Sequence, residues 1–150
     1  METVLITGAS SGLGYEFAKL FAEKGYDLVI SARREERLNS FKKSYPNISI
    51  EIIPCDLSLD GGAEYLYNKV MEKNITVNIL INNAGFGLFG EFKETDLKKE
   101  EEMINLNIKA LTGLTKLFLK DMLEKDHGKI LNVASIAAFQ PGPYMSIYYA

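Results

Sequence analysis

The sequence predicts an α/β domain with a doubly wound, mostly parallel sheet. Two observations carry that prediction. Short apolar runs rich in β-branched residues alternate with longer amphipathic stretches, and the first run passes directly into a glycine-rich turn that opens a helix. Strand, helix, strand, helix in strict succession requires right-handed crossovers between parallel strands. Such strands are covered on both faces and read as continuous hydrophobic runs.

The strands are expected at Thr3–Ile6, Asp27–Ser31, Ile48–Ile53, Val77–Ile81 and Lys129–Val133. The first helix is expected from Gly12 to Lys24, with Phe17, Leu20 and Phe21 inward and Gly25 as its stop. The second, from Glu35 to Ser44, carries Leu38 and Phe41 and ends before Pro46. The third opens on Ser58 as N-cap and buries Ala63, Leu66 and Val70. The fourth runs from Asp96 to Asp126, with Ile104, Ile108, Leu111, Phe118 and Met122 at helical spacing and Gly128 closing it. A flavodoxin-like doubly wound domain would share this pattern, so the loops after the strands decide between them.

Composition bounds the function. The chain has 150 residues, 47% hydrophobic and 25% charged, which suits one domain with its own core. A net charge of -3 without a basic cluster gives no footprint for nucleic acid, and the apolar runs are too short for a membrane span. No secretion signal precedes the first strand, and Cys55 is the only cysteine, so the expected compartment is the cytoplasm and the expected thiol is buried and inert. No cluster of His, Cys, Asp or Glu has metal-ligand spacing, so no metal is expected. His127 sits beside a helix end, where a cation suits the dipole.

The turn Thr7-Gly8-Ala9-Ser10-Ser11-Gly12-Leu13-Gly14 has a physical reading. Gly8 lets the chain leave the strand sharply, Gly12 lets the backbone approach a pyrophosphate, and Gly14 lets the helix pack on the sheet. The helix N-terminus then offers unpaired N–H groups to an anion. An ordinary strand-to-helix loop would also carry glycines, so the downstream motifs matter. Asp56-Leu57 follows the third strand and Asn82-Asn83-Ala84-Gly85 the fourth. Ala84 and Gly85 are small enough for a cofactor to lie close, and the asparagines can tie neighbouring strand ends together.

In this order, at strand ends, these segments resemble the short-chain dehydrogenase/reductase family, with its T-G-x-x-x-G-x-G turn and N-N-A-G segment, and the resemblance runs over the whole chain. It implies a Rossmann-like sheet of order 3-2-1-4-5, with helices on both faces. It implies a cofactor site on Gly8, Ser10, Ser11, Gly12, Leu13, Gly14, Asp56, Leu57, Asn83, Ala84 and Gly85, with Asp56-Leu57 against adenine. Ala32 stands where NAD-preferring members carry an aspartate, and Arg33 follows at once, so NADP(H) is favoured over NAD(H). A solvated helix start beside Glu35 and Glu36 is the plainer explanation of Arg33 and Arg34.

The resemblance also implies the reacting groups. Ser135 ends the fifth strand and would hydrogen-bond the substrate oxygen; Tyr148 follows thirteen positions later and would donate the proton, besides touching the cofactor. Asn107 would hold a relay water, with Asn105 as the poorer alternative. Tyr148-Tyr149-Ala150 resembles the start of the family's Y-x-x-x-K motif, whose lysine would lie past Ala150. The resemblance implies two more strands and a substrate segment there, so the domain over 1–150 is expected to be incomplete, with an uncovered sheet edge at the fifth strand. The apolar segment Phe139–Met145, including Tyr144, is expected to border the substrate. The expected function is reduction of a ketone, or oxidation of a secondary alcohol, by hydride transfer. The partners would be that substrate and a second copy of the chain, in a homodimer or homotetramer, through an apolar stripe on Ala110, Leu114 and Leu117. A non-catalytic nucleotide-binding or interaction module is the alternative.

Overall fold

A computed structural model describes residues 1–150. The elements run β1 (Thr3–Thr7), α1 (Gly12–Glu23), β2 (Asp27–Ser31), α2 (Glu35–Ser44), β3 (Ile50–Ile52), α3 (Gly62–Glu72), β4 (Ile79–Asn82), α4 (Leu97–Ile104), a π-helical turn (Asn105–Ala110), α5 (Leu111–Glu124), β5 (Lys129–Asn132), a 3-10 turn (Ile136–Phe139) and α6 (Ser146–Tyr149). The strands form one parallel sheet in the order β3-β2-β1-β4-β5. The order reverses at β1, which pairs with both β2 and β4, and a crevice opens there at the carboxyl ends.

Period-2 alternation splits the core into two layers. Val4, Ile6, Leu28, Ile30, Ile79 and Ile81 face α1 and α2, where Ala18, Ala22, Leu38 and Phe41 meet them. Leu5, Val29 and Leu80 face the other way, onto Leu66 and Val70 of α3 and Leu114 and Phe118 of α5. Each fully buried side chain of this size contributes about 1.5–3 kcal/mol. β5 is the exception. Like β3 it is an edge strand with one neighbour, but its faces are also open, with Leu131 44% exposed.

Several expected details are corrected. On α1 the inward positions are Gly14, Ala18 and Ala22, and Leu20 is exposed. Small residues let this helix lie close to the sheet, so the larger Phe17 and Phe21 pack at its flanks. Ser58 does not cap α3, because the Asp56 carboxylate takes both its N–H (3.0 Å) and its hydroxyl (2.6 Å). The helix starts instead after Gly61, which has left-handed backbone (φ 76°). β3 and β4 are shorter than expected, with Ile48, Ile53 and Val77 in flanking loops, although Ile53 and Val77 are buried there.

The expected fourth helix is two helices joined by the π-helical turn. One extra residue in that turn advances the helical phase by about 100°. The apolar stripe therefore breaks: Met103, Ala110, Leu114, Phe118 and Met122 are buried, while Ile104 and Ile108 are exposed. The stripe expected outward on Ala110, Leu114 and Leu117 faces inward, with Ala110 and Leu114 buried and Leu117 half-buried.

Gly128 does not close α5. Asp126 takes the left-handed conformation (φ 47°), and the N–H groups of Asp126 and His127 return to Leu123 and Met122. α1 and α3 end in the same way, through Gly25 and Asn74. His127 lies 2.6 Å from the Glu2 carboxylate and so ties the α5 end to the start of the chain.

Candidate active site

β1 delivers the glycine turn. Gly8 and Gly12 both have left-handed backbone, φ 69° and 56°. A Cβ on Gly8 would meet Asn83 Nδ2 at 2.9 Å and the Ala84 Cα at 3.0 Å, whereas the space beside Gly12 is open. A Cβ on Gly14 would run into the Gly8 carbonyl. Gly8 and Gly14 thus both serve close backbone packing, where the sequence reading gave that role to Gly14 alone, and Gly12 leaves open space.

Thr7 joins this turn to β4. Its hydroxyl accepts the N–H groups of Asn83 and Ala84, both at 3.0 Å, and Asn83 Nδ2 donates to the Thr7 carbonyl at 2.9 Å. Asn82 reaches the other way, donating to Thr115 Oγ1 (3.0 Å) and Asn132 Oδ1 (2.9 Å). The two asparagines therefore tie the ends of β1, β4 and β5 at one height. Thr7 and Asn132 carry these ties, and sequence reasoning passed over both; the threonine of the T-G turn was the available signal.

Above the strand ends lies a cleft of about 810 Å³. Gly8, Ser10, Ser11, Gly12, Leu13, Arg33, Asp56, Leu57, Asn83, Ala84, Gly85, Asn107, Ser135 and Tyr148 all line it. Gly14 lies beneath the turn instead, consistent with its packing role. Arg34 also lines the cleft, donating to Ser10 Oγ at 3.3 Å and to Ser11 Oγ at 3.0 Å. Neither Arg33 nor Arg34 has a carboxylate within ion-pair distance, so Glu35 and Glu36 do not neutralise them.

The π-helical turn points Asn107 at the loop after β4. Its Oδ1 accepts the Phe86 N–H (3.1 Å) and its Nδ2 donates to the Phe86 carbonyl (2.9 Å). Asn105 turns away to the Ser58 carbonyl (3.2 Å) and does not reach the cleft. Ser135 Oγ accepts the Ala137 N–H at 3.1 Å, which leaves its own proton to donate. Tyr148 packs beside Gly87, where a Cβ would lie 3.3 Å from its ring. Tyr149 also lines the cleft, whereas Phe139–Met145 does not. Tyr144 stands outside it, left-handed (φ 62°), 5.5 Å from the Phe89 ring, with its carbonyl accepting the Gly90 N–H.

Cys55 lies at the cleft floor, where burial and the neighbouring Asp56 push its thiol up to about 11. It is a protonated, unreactive thiol near neutral pH. No three His, Cys, Asp or Glu side chains come together as metal ligands. No helix is long and apolar enough to cross a membrane.

A glycine-rich turn at the switch point of a parallel 3-2-1-4-5 sheet defines a Rossmann-like domain. The family model described as short chain dehydrogenase matches residues 2–150, and the chain belongs to that family, whose members bind nicotinamide cofactors. It is 34% identical to a very-long-chain 3-oxoacyl-CoA reductase of Pyrenophora tritici-repentis, over 96% of this chain and 44% of that one. Among solved structures, a short-chain dehydrogenase from Sphingobium yanoikuyae in complex with NADPH superposes with a TM-score of 0.90 at 35% identity, covering 99% of this chain and 59% of that one. A bulky-bulky ketone specific alcohol dehydrogenase from Comamonas testosteroni superposes with a TM-score of 0.90 at 31% identity, covering 99% and 61%. The chain spans about half the length of the relatives it matches.

Proposed function

We propose that the whole protein is an NADP(H)-dependent oxidoreductase that interconverts a ketone and a secondary alcohol. The observation that carries this reading is convergence: Ser135, Tyr148 and Asn107 come from three separate elements and line the same cleft as the glycine turn. The cofactor fits the residues present. Ser11 is the N-cap residue of α1 yet makes no capping bond, so the first N–H groups of that helix remain open to a diphosphate. Ala84 and Gly85 leave room beside it, and two cleft-lining arginines without carboxylate partners, Arg33 and Arg34, favour a cofactor that carries a 2′-phosphate.

When bound, the cofactor supplies or accepts the hydride. The chain's own groups handle the proton and the oxygen. Ser135 Oγ–H points a donor at the carbonyl oxygen and stabilises the charge that grows there. Tyr148 Oη gives its proton to that oxygen in reduction and takes it back in oxidation. Both amide atoms of Asn107 bond the Phe86 backbone, so Asn107 fixes the β4 loop, and its second N–H and second lone pair remain for a relay water.

Phe89, Phe92, Ile136 and Phe139, all more than 60% exposed, lie on the loops that follow β4 and β5 and favour a hydrophobic substrate. So do the names of two of the similar proteins. For assembly, the exposed apolar side chains of the long helical segment are Leu97, Ile104, Ile108, Leu119 and Leu123, and we place a second copy of the chain on them, in a cytoplasmic homodimer or homotetramer.

Tyr148→Phe in the whole protein tests the reading. We expect turnover to fall by about 10²- to 10⁴-fold with NADPH binding unchanged. Turnover within a few-fold of the parent would reject it and leave a nucleotide-binding module.

A further inference from the structure

The π-helical turn sends side chains to two separate loops of the cleft. Asn105 and Lys109 are four residues apart and share one side of it, whereas Asn107, two residues from each, points the other way. Asn105 Nδ2 donates to the Ser58 carbonyl at 3.2 Å, and Lys109 Nζ pairs with the Asp60 carboxylate. Ser58 is in turn held by Asp56, which lines the cleft with Leu57. On the opposite side Asn107 holds the Phe86 N–H and carbonyl. The next residue, Gly87, carries Tyr148. A Cβ on Gly87 would lie 3.3 Å from the Tyr148 ring and 2.7 Å from Met145 Cε, so the phenol rests directly on this backbone.

In the sheet, β2 and β1 separate β3 from β4, so the strand ladder ties their loops only through two intermediate strands. The turn ties them directly. Leu106, between the two asparagines, packs against the core, so both amides move as one body. A continuous set of contacts thus runs from Asp56 through Ser58, Asn105, Asn107 and Phe86 to Tyr148.

We propose that Asn105 is a positioning residue for the reaction: through the π-helical turn it keys the loop after β4, and Tyr148 upon it, to the loop after β3. This rests on the oxidoreductase reading above, in which the cofactor reaches from Asp56-Leu57 to the phenol. A shift of the turn would misplace the phenol against the reacting carbon while leaving every binding group in the chain. Misplacement by about 1 Å costs up to about 10²-fold in rate.

Amide hydrogen exchange of the whole protein without cofactor, joined to NADPH titration and steady-state kinetics, tests this. In Asn105→Ala, exchange at Phe86 and its neighbours should speed by about tenfold or more, although no hydrogen bond joins Asn105 to that loop. The kcat should fall on the order of 10-fold, with the NADPH Kd held within about twofold. Asn105→Asp keeps the shape but sets an acceptor against the Ser58 carbonyl, so it should do at least as much. Lys109→Met removes the neighbouring tie from an exposed side chain and should speed the same amides more weakly, which keeps the test open if the Asn105 variants do not fold. Faster exchange confined to 56–61, or a rise in Kd as large as the fall in kcat, makes Asn105 a tie for the β3 loop alone and overturns the proposal. Unchanged exchange at Phe86 in every folded variant overturns it too. A parent protein without NADPH-dependent turnover removes the oxidoreductase reading instead, and the exchange result then stands by itself.

Discussion

At the glycine-turn end of the cleft, β1 lies between two parallel neighbours and its last residue, Thr7, is 1% exposed. At the Ser135 end, β5 has one neighbour, and Leu131 upon it is 44% exposed. Thr7 holds two backbone N–H groups of another strand end, whereas Ser135 holds one N–H two residues ahead of itself. The first end is therefore built from contacts between distant parts of the chain, and disturbing it should cost folding stability. At the second, beyond the Asn82–Asn132 tie, Ser135 is held by a local turn, and disturbing it should cost chemistry.

Substitutions can break or sharpen this contrast. The largest stability effect is expected in the layer that both ends share. Phe118 is 1% exposed between α5, α3 and the sheet, and Phe118→Ala should destabilise by about 3–5 kcal/mol in chemical denaturation. Thr7→Val keeps the shape but orphans the Asn83 and Ala84 N–H groups, for about 1–3 kcal/mol. Its counterpart, Ser135→Ala, should cost under about 1 kcal/mol and abolish most turnover. Equal destabilisation by the two would erase the contrast.

Cys55, on the floor between the ends, adds a pH signature. Its folded value of about 11 exceeds the ordinary 9.0 because burial, and then Asp56, disfavours the thiolate. The neutral thiol is the form the fold prefers. Its contribution is whole below pH 9 and is lost as pH rises toward 11, because the unfolded chain ionises first. Stability should therefore fall more steeply over that window in the parent than in Cys55→Ala. The smallest effect belongs to the open edge: Leu131→Gln should change stability by no more than about 0.5 kcal/mol. A larger loss would mean that other parts of the protein cover β5.

The strand sequence and the glycine turn were legible because each rests on local chemistry: β-branched runs, glycines and small residues at strand ends. Ser135 and Tyr148 were legible by resemblance. What escaped were features decided by competition between groups. Ser58 is a sound N-cap by type, but an aspartate two residues earlier captures it. Gly128 is the expected helix stop, but the left-handed position falls to Asp126. Arg34 differs from Arg33 only through the serines it meets across the sheet, which no local pattern shows. The outward stripe on Ala110, Leu114 and Leu117 failed because an unbroken helix was assumed through Asn105–Ala110.

That π-helical turn makes the length of the segment 97–124 rigidly specified. Removing one residue from Asn105–Ala110 would restore an ordinary helix and rotate everything on one side of the cut. Either Asn107 would swing off Phe86, or Phe118 and Met122 would turn into water and Leu119 and Leu123 into the sheet. A point substitution here can be absorbed by its neighbours. A single-codon deletion cannot, because it exchanges inside for outside along a whole helix.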